Sequence, residues 1–213
     1  MAFDKDMVFL VADRDIEATV TGLLSRTPAL GIRPVTFDVF PHPYRDSGCR
    51  TRAAEFLRPM ADRYAHALVL FDHDGCASPD TTAEDLERAG ERALAPVWFD
   101  RAGVVVLEPE LEAWVWSDSP EVTRILGWDG PADELASWLR SLGVWPANAA
   151  KPVDPKLAMI HTLQRTRKRR SAAIFEELAN RVSFRRCADR AFLKMRRLLQ
   201  TWFGCEPGAE AKR

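Results

Sequence analysis

The feature that most constrains this chain is a set of short, continuous apolar runs, Met7-Val8-Phe9-Leu10-Val11-Ala12, Ala67-Leu68-Val69-Leu70-Phe71 and Gly103-Val104-Val105-Val106-Leu107, each followed at once by acidic residues. A run with no polar alternation has no wet face. It suits a strand covered on both sides, as in a parallel sheet between helices. Between the runs the apolar residues take helical spacing. Ile16, Val20, Leu23 and Leu24 lie on one stripe that stops at Thr27-Pro28, and further helices are expected over 51–64 and over 82–95, the latter capped by Thr81 or Thr82. A strand at 34–40, followed by a turn-rich loop at 42–48, completes a β-α-β-α-β-α-β order. The expectation is therefore an α/β fold: a mainly parallel four-stranded sheet flanked by helices.

After Leu107 the pattern changes. Pro109 is placed to open a short helix, where its missing N–H costs nothing, and another helix is expected over 132–142. A proline-containing linker, 145–155, precedes expected helices at 156–164, 171–181 and 186–203, and residues 208–213 read as a frayed end. This divides the chain into an α/β core at 1–118, a helical addition and linker at 119–150, and a helical C-terminal region at 151–213. Trp114, Trp116, Trp138 and Trp202 fall within amphipathic segments and read as core residues. The 213 residues are 46% hydrophobic and 29% charged, which excludes a disordered chain, a collagen-like repeat or a coiled-coil rod. The apolar run at 7–12 is too short for a signal-peptide core or a membrane span, so a cytoplasmic protein without a membrane partner is expected. Cys49, Cys76, Cys187 and Cys205 form no C-x-x-C pair, and reduced thiols are expected.

Charge is divided along the chain. Residues 1–150 hold 14 Lys+Arg against 25 Asp+Glu, whereas residues 151–213 hold 16 against 6. The densest basic segment is Arg165-Thr166-Arg167-Lys168-Arg169-Arg170, with no acid to relieve the mutual repulsion. Two partners suit it: nucleic-acid phosphate, DNA or RNA, or the acidic body of the same chain.

Three acidic groups follow strands, and in a parallel sheet strand carboxyl ends share one edge, where ligands of open α/β sheets bind. Phe71-Asp72-His73-Asp74-Gly75 sets two carboxylates one residue apart beside a turn glycine, which suits a hard cation, Mg2+ or Mn2+. The same residues would also make an ordinary turn. Asp13, Asp15 and Glu17 follow the first strand; Glu108, Glu110 and Glu112 follow the last. Favourable interaction with a helix dipole accounts for some of these, and a shared metal site for the rest. His73 should point away from its neighbours and play a structural part. His42 and Asp46 flank the loop at the same edge, within reach of a phosphate, whereas His66, His161 and Cys76 have no activating neighbours.

A first strand ending in an acidic residue, a later strand ending in D-x-D-G and a following Pro109-Glu110-Leu111-Glu112-Ala113-Trp114 together resemble the Toprim fold of topoisomerases, primases and OLD-type nucleases. The likeness is greatest to small Toprim proteins of bacterial phage defence, including RloB-like proteins and components of methylation-associated defence systems. It covers residues 7–118 best, and Asp154-Pro155-Lys156 resembles the tail of those proteins. The resemblance implies metal positions at Asp72 and Asp74, Asp13 in place of the family's first glutamate, and a further metal role for Glu112 with Glu110 nearby. Val11-Ala12-Asp13-Arg14 departs from the family's V-E-G, so Glu17 is the candidate to supply the missing carboxylate.

The implied activity is Mg-dependent phosphodiester hydrolysis in antiviral defence. Asp13, Glu17, Asp72, Asp74 and Glu112 would be its catalytic residues, and Arg165, Arg167, Lys168, Arg169 and Arg170 its nucleic-acid contacts. The competing expectation is a non-catalytic subunit that binds nucleic acid or other defence proteins. A haloacid-dehalogenase-type phosphatase with Asp72 as nucleophile ranks below both, because that motif belongs on a first strand.

Overall fold

The computed structural model describes residues 3–204; Cys205 and the expected frayed end at 208–213 lie outside the described residues. Four strands, β1 (Lys5–Val11), β2 (Phe37–Pro41), β3 (Tyr64–Asp72) and β4 (Ala102–Leu107), form one sheet in the order β2-β1-β3-β4, and every pairing is parallel. Met7 to Val11 and Ala67 to Leu70 are wholly buried, as the absence of polar alternation requires. Val11 stands opposite both Pro41 and Leu70, and Asp72 opposite Leu107. The carboxyl ends of all four strands are thus level, and the residues after them share one edge.

The first helices are α1 (Arg14–Leu24), α2 (Thr27–Leu30), α3 (Arg45–Leu57) and α4 (Ala83–Trp98). The chain continues through α5 (Pro120–Leu126), α6 (Ala132–Ser141), α7 (Pro155–Arg165), α8 (Ala172–Arg181) and α9 (Arg190–Phe203). Helix α8 packs along α1, and α9 packs on β4, so the C-terminal helices help to cover the sheet. The α1–α8 approach depends on Gly22, where a Cβ would lie 2.7 Å from the Glu176 carbonyl oxygen.

Four local expectations are corrected. Helix α3 begins at Arg45, inside the segment expected to be a turn-rich loop. Asp46 sits in its first turn, and Gly48 lets the helix pass the His42 ring, since a Cβ there would lie 2.1 Å from Nδ1. The helix ends at Leu57 because Pro59, in the 3-10 turn Arg58–Met60, cannot continue the hydrogen-bond ladder. Pro109 precedes, rather than opens, the 3-10 turn Leu111–Trp114. Helix α9 starts at Arg190, where Asp189 accepts from the Phe192 N–H as its cap, instead of at 186. Trp98 and Trp116 are buried, as are parts of Trp114, Trp138 and Trp202 that pack against the core. Among the described residues no helix is long and apolar enough to cross a membrane, and Cys49, Cys76 and Cys187 are free thiols.

Candidate metal centre

The level strand ends open onto a cleft of about 490 Å³ lined by Asp13, Asp15, Asp46, Asp72, Asp74, Glu110 and Glu112, with Arg45, Lys156 and Arg170 as its cations. Its floor is made by three carboxylates. Asp72 closes β3; Glu110 precedes the 3-10 turn after β4, and Glu112 lies within that turn. One oxygen from each lies within 4.8 Å of the others, so a buried acidic triad stands where a divalent cation could be held.

Local hydrogen bonds fix the floor. Asp72 Oδ1 accepts from the Leu111 N–H at 2.9 Å, which ties β3 to the turn that carries the two glutamates. Asp46, buried in the first turn of α3, accepts from the Asp72 N–H at 2.9 Å. Gly75 permits this arrangement, because a Cβ there would meet Asp46 Oδ2 at 2.4 Å. Burial, reinforced by Asp46, Glu112 and Asp13, pushes the Asp72 carboxyl well above the usual carboxylate range. Burial also raises Asp46, Asp15 and Glu110.

Two C-terminal cations offset this charge. Lys156 donates from Nζ to Glu110 Oε2 at 2.8 Å and from its backbone N–H to Oε1 at 3.1 Å. Arg170 bridges Glu112 at 2.8 Å and Asp15 at 2.7 Å, and its neighbouring carboxylates raise its pKa against the opposing effect of burial. Glu112 is 2% exposed, so its pairing with Arg170 is desolvated on the carboxylate side.

The sequence candidates separate accordingly. Asp72, Glu110 and Glu112 converge. Asp74 lines the cleft with its side chain exposed and stands outside the triad. Asp13 also lies at the cleft, but Oδ1 caps α1 by accepting from the Asp15 and Ile16 N–H groups, and Oδ2 pairs with Arg45 at 2.8 Å. Glu17, expected to supply a missing carboxylate, does not line the cleft. It lies two residues beyond Asp15, about 200° around α1, so the residue that faces inward is Asp15. His73 bonds through Nε2 to the Thr81 carbonyl at 2.8 Å. His42 is buried against Phe56 and does not line the cleft, whereas its loop partner Asp46 does. Cys76 is buried, and burial raises its thiol.

The basic cluster also divides. Arg170 faces the acidic floor and Lys168 donates to the Ile125 carbonyl at the end of α5, so neither projects freely. Arg165, Arg167 and Arg169 are exposed and make no ion pair among the described residues. Much of the remaining C-terminal charge pairs internally: Arg190 and Lys194 enclose Glu87, which is 2% exposed and also accepts from the Val106 N–H. Sequence reasoning did not foresee Glu87, because its partners lie about a hundred residues later. Lys156 and Arg170 were visible only as tail and basic-cluster residues, with no sign that they oppose Glu110 and Glu112.

No family model, curated protein or solved structure matches this chain.

Proposed function

We propose that the protein is a metal-dependent phosphodiesterase that cuts nucleic acid using Mg2+ or Mn2+, in the manner of the small Toprim nucleases of phage defence that its sequence resembles. The observation that carries this reading is the convergence of Asp72, Glu110 and Glu112 at the carboxyl edge of a parallel sheet. These three residues would hold the ion, with Asp74 at the mouth. A bound divalent cation there would lower the pKa of water and offset charge on phosphate oxygens. Lys156 and Arg170, already directed at the floor, would orient a phosphate drawn in beside the metal, and Asp46 would hold the Asp72 backbone in place. Exposed Arg165, Arg167 and Arg169 would supply sequence-independent contacts to the rest of the strand.

One observation favours the second reading, a binding subunit without catalysis. Asp13 is committed to capping α1 and to Arg45, Glu110 to Lys156 through both oxygens, and Glu112 to Arg170, so three candidate ligands are already engaged within the chain. Incubating the full chain with end-labelled DNA and RNA in Mg2+, Mn2+ or EDTA separates the readings. Metal-dependent cutting lost in Asp72→Asn supports the nuclease; binding without cutting in either metal supports the subunit.

A further inference from the structure

We propose that Tyr44, Arg45 and Arg52 form a subsite for one unpaired nucleotide of a single-stranded nucleic acid at the mouth of the acidic cleft. Tyr44 would stack the base and Arg45 would hold an adjoining phosphate. This inference rests on the nuclease reading above and names the substrate form that the site accepts.

Tyr44 follows β2 at the same sheet edge as the metal centre and is 61% exposed. A large aromatic ring in solvent buries little apolar area, so it contributes little to folding. Among the described residues the other exposed aromatics, Phe3 and Phe99, lie just before β1 and β4, at the opposite edge. Tyr44 is nevertheless held in place. Its N–H donates to His42 Nδ1 at 3.0 Å, and the buried His42 ring packs against Phe56 at a centroid distance of 5.4 Å. The Arg52 guanidinium lies over the Tyr44 ring, 4.8 Å from its centroid. The result is a supported, wet aromatic surface beside a cation, the combination on which bases stack in single-strand-binding proteins.

Arg45 supplies the link to the cleft. It lines the cavity, with its guanidinium 2.8 Å from Asp13, while its side chain is 68% exposed. Its φ of 49° lies in the left-handed region, which side-chain-bearing residues adopt only when their surroundings hold them there, and such residues cluster at functional sites. Arg52 lies two turns into α3 and reaches back over the ring of Tyr44, which precedes Arg45 at the helix start. A strand crossing here would meet a phosphate-binding guanidinium at the cleft and a stacking surface beside it. A base within a duplex is already stacked on both faces, so only an unpaired base can use that surface.

The test measures binding of short oligothymidylate, oligouridylate and a duplex of equal length to the full chain, with Ca2+ in place of a metal that supports cutting. A single 2-aminopurine in each strand reports stacking by its quenching. Tyr44→Ala should weaken binding of either single strand by about 5- to 150-fold and abolish the quenching, and Tyr44→Phe should retain both. Duplex affinity should be the same in Tyr44→Ala and the unmutated protein. Arg45→Ala should weaken single strands and duplex alike, as loss of a phosphate contact does. Equal affinity of Tyr44→Ala for single strands overturns the subsite, as does failure of the unmutated protein to bind them. Cutting that persists while Tyr44→Ala binds unchanged would remove the subsite and leave the nuclease standing. Quenching lost in Tyr44→Ala in a protein that never cuts would do the reverse.

Discussion

Replacing Asp72 by Asn tests the metal centre most directly, because the amide preserves shape while removing one charge. Its Oδ1 can still accept from the Leu111 N–H, so the link between β3 and the glutamate-bearing turn survives. Burial and three neighbouring carboxylates, Asp46, Glu112 and Asp13, disfavour the ionised form of Asp72. Without metal the variant should therefore melt no lower than the unmutated protein at pH 7. The sign of the pH dependence follows from the same cause. A carboxyl raised on folding binds its proton more tightly in the native state, so stability increases as pH falls through the folded pKa towards the ordinary carboxylate range, and this increase should be smaller in the variant.

Metal changes the comparison. A ligand at one hundred times its Kd stabilises the native state by about 2.7 kcal/mol. For a chain of this size each kcal/mol moves Tm by roughly 2–4 °C, so saturating Mn2+ should raise the Tm of the unmutated protein by about 5–11 °C. Asp72→Asn should show almost none of this rise. Thermal melts in EDTA and across a Mn2+ series, at pH 5 and pH 7, measure both effects. An equal Mn2+ shift in the two proteins, or a metal-free variant that melts several degrees lower, would refute the reasoning.

The remaining expectations concern charge and packing elsewhere. Neutralising Arg165, Arg167 and Arg169 together should lower the slope of log K against log salt for duplex DNA by up to about 2.7, since each lost phosphate contact removes about 0.9, and should leave Tm within a degree or so; an unchanged slope in salt titrations would rule these residues out as phosphate contacts. Glu87→Gln breaks a buried carboxylate's pairing with Arg190 and Lys194 and should cost on the order of 3–5 kcal/mol in urea denaturation, whereas a loss below 1 kcal/mol would show that the pairing is dispensable. Gly48→Ala should cost roughly 1–3 kcal/mol in the same assay by pushing a methyl into His42, and a neutral result would mean that the ring moves freely. The hydrogen bond from Arg33 lowers Asp6 to about 2, so its contribution is complete above pH 4 and disappears as pH falls through 2. Asp6→Asn should accordingly lower Tm at pH 7 by an amount that vanishes towards pH 2; a difference independent of pH would contradict the assignment.

Three strands of the sheet were legible because β1, β3 and β4 each carry a continuous apolar run, and such runs between amphipathic helices suit burial on both faces, whereas β2, at the sheet edge, is half-buried and carries Asp38. The acidic edge was legible for the same reason, since every carboxylate group directly follows a strand. Finer features depended on contacts that spacing does not encode. Residues 45–48 carry turn chemistry in Asp46, Ser47 and Gly48, yet they form the first turn of α3 because Gly48 fits against His42 and Asp46 finds the Asp72 N–H. Choosing between Asp15 and Glu17 required the rotation of α1 about its axis, which its cap at Asp13 fixes. The basic cluster read as one unit, but tertiary packing turns Arg170 inward and leaves Arg165, Arg167 and Arg169 outside.

The pairing of the acidic edge with late residues has a consequence for synthesis. A ribosome delivers β1 through β4 and all the floor carboxylates before it delivers Lys156 and Arg170, and α1 is complete long before α8 arrives to cover it. During that interval the nascent chain holds a sheet with one helix face uncovered and floor glutamates that still lack Lys156 and Arg170. Domains generally fold as units during translation, but this one lacks the residues that close it until α8 and α9 have left the exit tunnel. Arrest of translation near residue 150 should leave a protease-sensitive chain dependent on chaperones, and release of the following helices should convert it in one step to a resistant form.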